Sequence, residues 1–185
     1  MISHAMQVLT DILNFALQDR QRGDAPIVHM GRVTENRAGT DTSLILTLVN
    51  LSVDSTLATT TRSKISDTTT FRSTPPLSLG LSVLLSAKPG TDYAKSLELL
   101  STVLHYLHTT PEMTAATHPT LEGKFEKIAI APLSLALDEL RELWALQSAP
   151  YQPSLAYEVR AHPTTDIIKR PQISTIPIRV DNPSH

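Results

Sequence analysis

The chain contains no cysteine, which removes disulfides, thiol nucleophiles and thiolate metal ligands together and fits a reducing compartment. Glycine is scarce, six in 185 residues. None falls in the G-x-x-x-x-G-K or G-x-G-x-x-G spacing that cradles phosphate, so nucleotide binding has no support. Charge of one sign is nowhere concentrated: 16 basic residues stand against 18 acidic ones, for a formal net charge of -2. That balance leaves no electrostatic footprint for nucleic acid or an anionic membrane surface. No apolar run approaches the length needed to cross a bilayer, and Met1-Ile2-Ser3-His4-Ala5 lacks the basic stretch and apolar core of a secretion signal. The chain reads as soluble and cytoplasmic, with no nucleic-acid partner and no direct membrane insertion. The sequon Asn50-Leu51-Ser52 has no meaning in that setting.

What is present is a moderate apolar content, 41%, enough for one domain with a core but not comfortably two. The most informative stretch runs from Pro75 to Ser86. Leu77, Leu79, Leu81, Val83 and Leu85 alternate with Ser78, Gly80, Ser82, Leu84 and Ser86, the period of two that marks a strand. Small residues on its second face let a helix or another backbone approach closely, and Pro75-Pro76 sits at the start, where a missing N–H is tolerated. This is the expected central strand.

The chain before it opens with a helix capped by Ser3, with Ala5, Met6, Leu9, Ile12, Leu13 and Ala16 on one face. Val8 and Phe15 widen that apolar surface, either as a broader core or as a contact to another subunit. A short strand at 26–30, a turn region at 34–42 and a strand over 44–50, apolar enough for burial on both faces, follow. Ser52 to Thr74 is crowded with Ser and Thr and carries Arg62, Lys64 and Arg72, the composition of a functional loop, a protruding hairpin or, equally, a disordered loop that orders only on a partner.

Beyond the central strand, Thr91 or Asp92 caps a helix whose inward stripe is Tyr93, Leu97, Leu100, Leu104 and Leu107, and Pro111 ends it. The stretch 112–123 reads as a loop and 127–131 as a strand. A third helix follows, capped by Ser134 with Leu137, Leu140 and Trp144 inward, and then a strand over 155–161 with one wet face. Beyond His162, four prolines interrupt Ile167, Ile168, Ile173, Ile176, Ile178 and Val180, a pattern for an extended arm lying on something else. The fold class is therefore α/β or α+β, a mixed central sheet flanked by about three helices, with a domain over 1–161 and a Pro-rich arm over 162–185.

Chemistry-bearing patterns are few. His105 and His108 stand three apart on a helix and His118 could join them at a metal, but no carboxylate ligand pattern accompanies them, so surface histidines are the simpler reading. Gly80-Leu81-Ser82 is half of a nucleophile elbow whose second glycine is replaced by Leu84. Asp138, Glu139 and Glu142 suit the start of a helix better than paired-carboxylate catalysis. No catalytic residue, metal site or cofactor is assigned.

Several separated stretches nevertheless form a pattern. They are Ile2-Ser3-His4-Ala5, Leu48-Val49-Asn50, Pro75 through Ala87, Asp92-Tyr93, Leu140 to Trp144, and Tyr151-Gln152-Pro153-Ser154-Leu155-Ala156-Tyr157-Glu158-Val159-Arg160. In this order they resemble the cap, or tail-terminator, family of extracellular contractile injection systems, the phage-tail-like particles of the antifeeding-prophage type. Ser148-Ala149 lacks the glycine the family often places after the Trp helix.

The resemblance implies a structural protein without enzymatic activity, tail-terminator-like in fold. It implies a homohexameric ring at the baseplate-distal end of the particle that ends the inner tube and engages the last sheath ring. Its partners would be the inner-tube and sheath proteins. A head-proximal tail terminator or completion protein of a true phage is the nearest alternative, and a small soluble metal-dependent enzyme a more distant one. The residues expected at assembly interfaces, read from the chain and not from the resemblance, are Val8, Phe15, Arg62, Lys64, Arg72, Ile173, Ile176 and Ile178.

Overall fold

The computed structural model describes residues 1–18, 27–34, 43–54, 63–66, 69–72, 78–88 and 92–164. Eight strands and three α-helices are described: α1 (Ile2–Ala16), β1 (Val28–Met30), β2 (Leu44–Asp54), β3 (Ser63–Ser66), β4 (Thr69–Arg72), β5 (Ser78–Ala87), α2 (Tyr93–Thr109), β6 (Glu112–Thr114), β7 (Phe125–Pro132), α3 (Leu137–Leu146) and β8 (Ser154–Pro163). Six strands form one sheet in the order β1-β2-β5-β8-β7-β6, while β3 and β4 pair as a separate antiparallel hairpin. Only the β1–β2 pair is parallel, so the sheet is mixed, as the sequence predicts.

β5 lies between β2 and β8 because both of its faces are needed. Leu79, Leu81, Val83 and Leu85 enter the main core, with α1, α2 and the inward residues of β7 and β8. Leu84, alone among small residues on the other face, packs with Trp144 of α3 and with Val33 in a second cluster. α1 and α2 thus cover one face of the sheet and α3 part of the other. Gly80 permits a close approach, since a Cβ there would stand 2.3 Å from Ser52 Oγ on β2.

β2 departs from the expected two-faced burial. It is buried from Leu44 to Thr47 and exposed from Val49 to Val53. The register shifts between Leu48 and Asn50, a bulge that sets Leu51 opposite Leu81 and Val53 opposite Leu79. The segment after α2 also departs from expectation: Met113 is buried in β6, which pairs with β7, and a 3-10 turn follows at Pro119–Leu121. Pairing to β7 gives those backbone groups partners that a free loop would lack.

Two of the three expected caps change. α1 has Met1 at its N-cap position, so the helix starts two residues earlier than Ser3 would give. α3 begins after Ala136 rather than Ser134, and the Glu139 carboxylate accepts the Ala136 N–H at 2.8 Å. Of the two candidates for α2, Thr91 and Asp92, Asp92 is the cap, accepting from the N–H groups of Ala94 and Lys95 at 2.9 and 3.3 Å. The buried face of α2 is rotated from the predicted stripe. It carries Ser96, Leu99, Leu100, Val103 and Leu107, and leaves Tyr93, Leu97 and Leu104 exposed.

Candidate assembly surfaces

The residues expected at interfaces separate once placed. Val8 is 1% exposed and belongs to the main core, so its expected contact with another subunit is replaced by packing inside the chain. α1 buries a broader face than its first stripe because the sheet and α2 meet it from two sides, and Val8 falls within that span. Phe15 is 56% exposed and meets the His118 ring edge-on, with centroids 6.3 Å apart. Lys64 and Arg72 lie on the backbone of the β3–β4 hairpin. Arg62, Ile173, Ile176 and Ile178, with the rest of the expected arm beyond Thr164, lie outside the described residues.

His118 has a defined role. Its Nε2 lies 2.8 Å from the Tyr106 hydroxyl and its Nδ1 3.1 Å from Thr117 Oγ1. Thr117 Oγ1 donates to the Thr114 carbonyl, so its lone pair accepts from a proton on Nδ1 and leaves Nε2 to accept from Tyr106. The neutral ring fits this arrangement, and partial burial holds the His118 pKa below the ordinary histidine value. Tyr106 is pushed up by burial. His105 and His108 are exposed on α2, and among the described residues no group of three His, Asp or Glu side chains is placed to hold a metal ion.

The half nucleophile elbow lies within β5, where Ser82 is a strand residue. A pairing that the elbow pattern does not capture joins Ser78 Oγ to His162 Nδ1 at 2.9 Å. Only strand register could have revealed it. Ser78 is buried, so the pair is a cross-strand hydrogen bond rather than a nucleophile facing a cleft. Tyr157, pushed up to about 12 by burial, points into the main core and its hydroxyl has no hydrogen-bond partner among the described residues.

The outward side of α3 combines large apolar residues with the charged Asp138, Glu139, Arg141 and Glu142. α3 sits proud of the sheet between two grooves, one of ≈ 960 Å³ walled by Leu137, Leu140, Trp144 and Tyr151, the other of ≈ 280 Å³ walled by Val49, Leu133, Leu143 and Leu146. Leu137 and Leu146 are 83% and 82% exposed, against the expectation that Leu137 would face inward. Its place at the start of α3, about two turns before Trp144 reaches Leu84, puts it past the edge of the covered sheet. Trp144 is buried against Leu84, and Tyr151 stands edge-on to it with centroids 5.6 Å apart. On the far side of the sheet, Tyr93 is 67% exposed and lies on the same flank of α2 as Leu97 and Leu104. No helix among the described residues is long and apolar enough to cross a membrane.

Comparison with known proteins gives a family and a fold. The family profile described as the Pvc16 N-terminal domain matches residues 4–174, continuing past Ala161, where the resemblance read from the sequence stops. None of the curated proteins matches the chain. Among solved structures, the sheath/tube terminator of an extracellular contractile injection system, PVC, in the extended state superposes with a TM-score of 0.61 at 12% identity, covering 100% of this chain and 64% of that one. The tube-terminating cap of the anti-feeding prophage superposes with a TM-score of 0.52 at 14% identity, covering 89% of this chain and 58% of that one. The mixed α+β fold of this chain is therefore the fold of those terminators, and the chain spans about three-fifths of their length.

Proposed function

Because the chain belongs to the Pvc16 N-terminal domain family, we propose that it is a structural terminator of a contractile injection system: a ring of six copies at the baseplate-distal end of the particle that ends the inner tube and engages the last sheath ring. The observation that carries this reading is the agreement of a family match over residues 4–174 with a fold shared with a sheath/tube terminator and a tube-terminating cap. The exposed large apolar residues, Phe15, Tyr93, Leu137 and Leu146 among them, suit a role in contacts with other proteins. The reading is non-enzymatic and needs no cofactor.

A terminator must bind the last layer and offer nothing to the next. Head-to-tail contacts that close by rotation supply the ring. Extended segments that add to a neighbouring sheet, main chain to main chain, would supply contacts to tube or sheath, a part suited to the β3–β4 hairpin with Arg62, Lys64 and Arg72 and to the Ile-rich segment carrying Ile173, Ile176 and Ile178. Phe15 is an exposed aromatic available to the same contacts.

Assembly of particles from their tube, sheath and baseplate proteins, with and without this chain, tests the proposal. With it, particle lengths should be narrowly distributed; without it, tubes and sheaths should overrun and vary in length. Equal length distributions in the two preparations would end the reading.

A further inference from the structure

β2 is an edge strand for half of its length. β1 pairs with it only from Leu44 to Leu46, so beyond the bulge no strand among the described residues lies on its outer side. Backbone bonds fix which groups point outward there. The Ala87 N–H donates to the Pro153 carbonyl, just ahead of β8, at 2.9 Å, so every second residue before it on β5, Leu81 and Leu79 included, also turns toward β8. Gly80 and Ser78 therefore turn toward β2, where Ser52 and Asp54 face them. Leu51 and Val53 are left with N–H and C=O groups directed away from β5. Their side chains, opposite Leu81 and Leu79 on the face that α1 and α2 cover, are 40% and 53% exposed. We propose that the segment Ser174 to Val180 of the same chain, outside the described residues, adds to this edge as a further antiparallel strand, with Ile176 and Ile178 opposite Val53 and Leu51.

Three properties fit this segment to that edge. The first is period. Ile176, Ile178 and Val180 alternate with Thr175, Pro177 and Arg179, so an extended chain has one apolar face, as the strip at Leu51 and Val53 requires. The second is the place of Pro177. Side-chain face and hydrogen-bond direction alternate together along a strand, so isoleucines that cover Val53 and Leu51 also turn their backbone groups to β2. Pro177 then falls on the outer side, where a strand tolerates a residue without an N–H, and it blunts the new edge. A slip of one residue would set Pro177 against β2 and carry both isoleucines to the face of Asn50 and Ser52.

The third is reach. Ser78 pairs with Asp54 on one side and bonds His162 on the other at 2.9 Å, so β8 leaves the sheet at the end where β2 stops. Both strands run antiparallel to β5, and a chain that turns back at that end runs antiparallel to β2. The outer side of β2 lies three strand spacings from β8, about 14 Å. Residues 165–173 extend to about 30 Å, enough to cross. A tether of this length gives an effective concentration on the order of millimolar, which favours the chain's own edge over that of another copy. The strap describes the free copy: passing Ile176 and Ile178 to tube or sheath, as proposed above, requires this pairing to open.

Amide exchange of the full chain, read by NMR at Leu51 and Val53, tests the strap without any tube or sheath protein. Exchange at both should be at least tenfold slower in the wild type than in Ile178→Pro, which lacks an N–H that meets β2. Arg179→Pro, at an outward position, should keep the wild-type protection. Val83 and Leu85, inside the sheet, should exchange alike in all three chains, which shows that each has folded. Equal exchange at Leu51 and Val53 in the wild type and Ile178→Pro, or an equal loss in the two proline variants, would overturn the strap and leave the terminator reading standing. Protection that rises with protein concentration would assign the edge to a segment of another copy and overturn it as well.

Discussion

The carboxamide of Asn14 answers both hydrogen-bonding groups of Val28: its Oδ1 accepts the Val28 N–H at 2.9 Å and its Nδ2 donates to the Val28 carbonyl at 2.9 Å. The same Oδ1 accepts the Ile27 N–H at 2.9 Å. Val28 belongs to β1, an edge of the sheet, and β2 occupies the other side of that strand. A side chain at the end of α1 thus stands where the backbone of a further strand would, which blunts an edge that could otherwise pair with another chain.

Replacing Asn14 tests that arrangement. Asn14→Ala leaves a buried backbone edge without partners and should cost about 1–3 kcal/mol, measured by urea denaturation. Amide exchange at Ile27 and Val28 should rise at the same time. A loss of stability without faster exchange there would show that Asn14 acts elsewhere.

Trp144 anchors α3, the helix that covers the second face among the described residues. It is buried with Leu84 and Val33, and its Nε1 has no hydrogen-bond partner among the described residues. Trp144→Ala should therefore cost about 3–5 kcal/mol. Trp144→Phe should cost distinctly less, because it keeps an aromatic filling and removes an N–H that nothing satisfies. Equal losses would place the weight on the indole N–H rather than on packing.

Ser148 follows α3 with φ of 52°, the left-handed region, directly after the C-cap Gln147. That is the position where helices prefer glycine, which has no Cβ to strain. Ser148→Gly should raise stability by up to about 1 kcal/mol, read as a higher urea midpoint with an unchanged slope. No change, or a fall, would mean that the serine is not strained there.

The Tyr106–His118 pair makes stability depend on pH. Burial lowers the folded-state pKa of His118, so below the ordinary histidine value the unfolded chain binds more protons than the folded one. The contribution is complete above about pH 6.5 and is lost as pH falls through the lower folded value. His118→Gln should flatten the pH dependence of the melting temperature between pH 5 and 7. An unaltered slope in that variant would assign the dependence to other groups.

Much of this architecture is legible in the residues themselves, for identifiable reasons. The alternation from Leu77 to Leu85 marks the central strand because a period of two leaves no other reading, and Asp92 marks a helix start because its carboxylate can reach two free N–H groups. The Thr content of 52–74 allows a hairpin and a disordered loop equally, and the strand pairing of Ser63 with Arg72 and Ser66 with Thr69 decides for the hairpin. Where the reading misplaces residues, tertiary packing decides. The apolar stripe of α2 is wider than the surface that receives it, so periodicity could not show that Leu99 and Val103 go inward while Leu97 and Leu104 stay out. Of the two places open to Val8, a broader core or a subunit contact, the structure takes the core, because the sheet and α2 both meet α1. The bulge at Val49, the pairing of β6 and the Ser78–His162 bond depend on register, which one sequence does not display.

The direct measurement is electron microscopy of assembled tubes mixed with the purified chain. The account predicts a six-fold ring seated at one end of the tubes and no further growth from that end. Tubes that stay bare and extend from both ends, with the chain remaining single in solution, would contradict it.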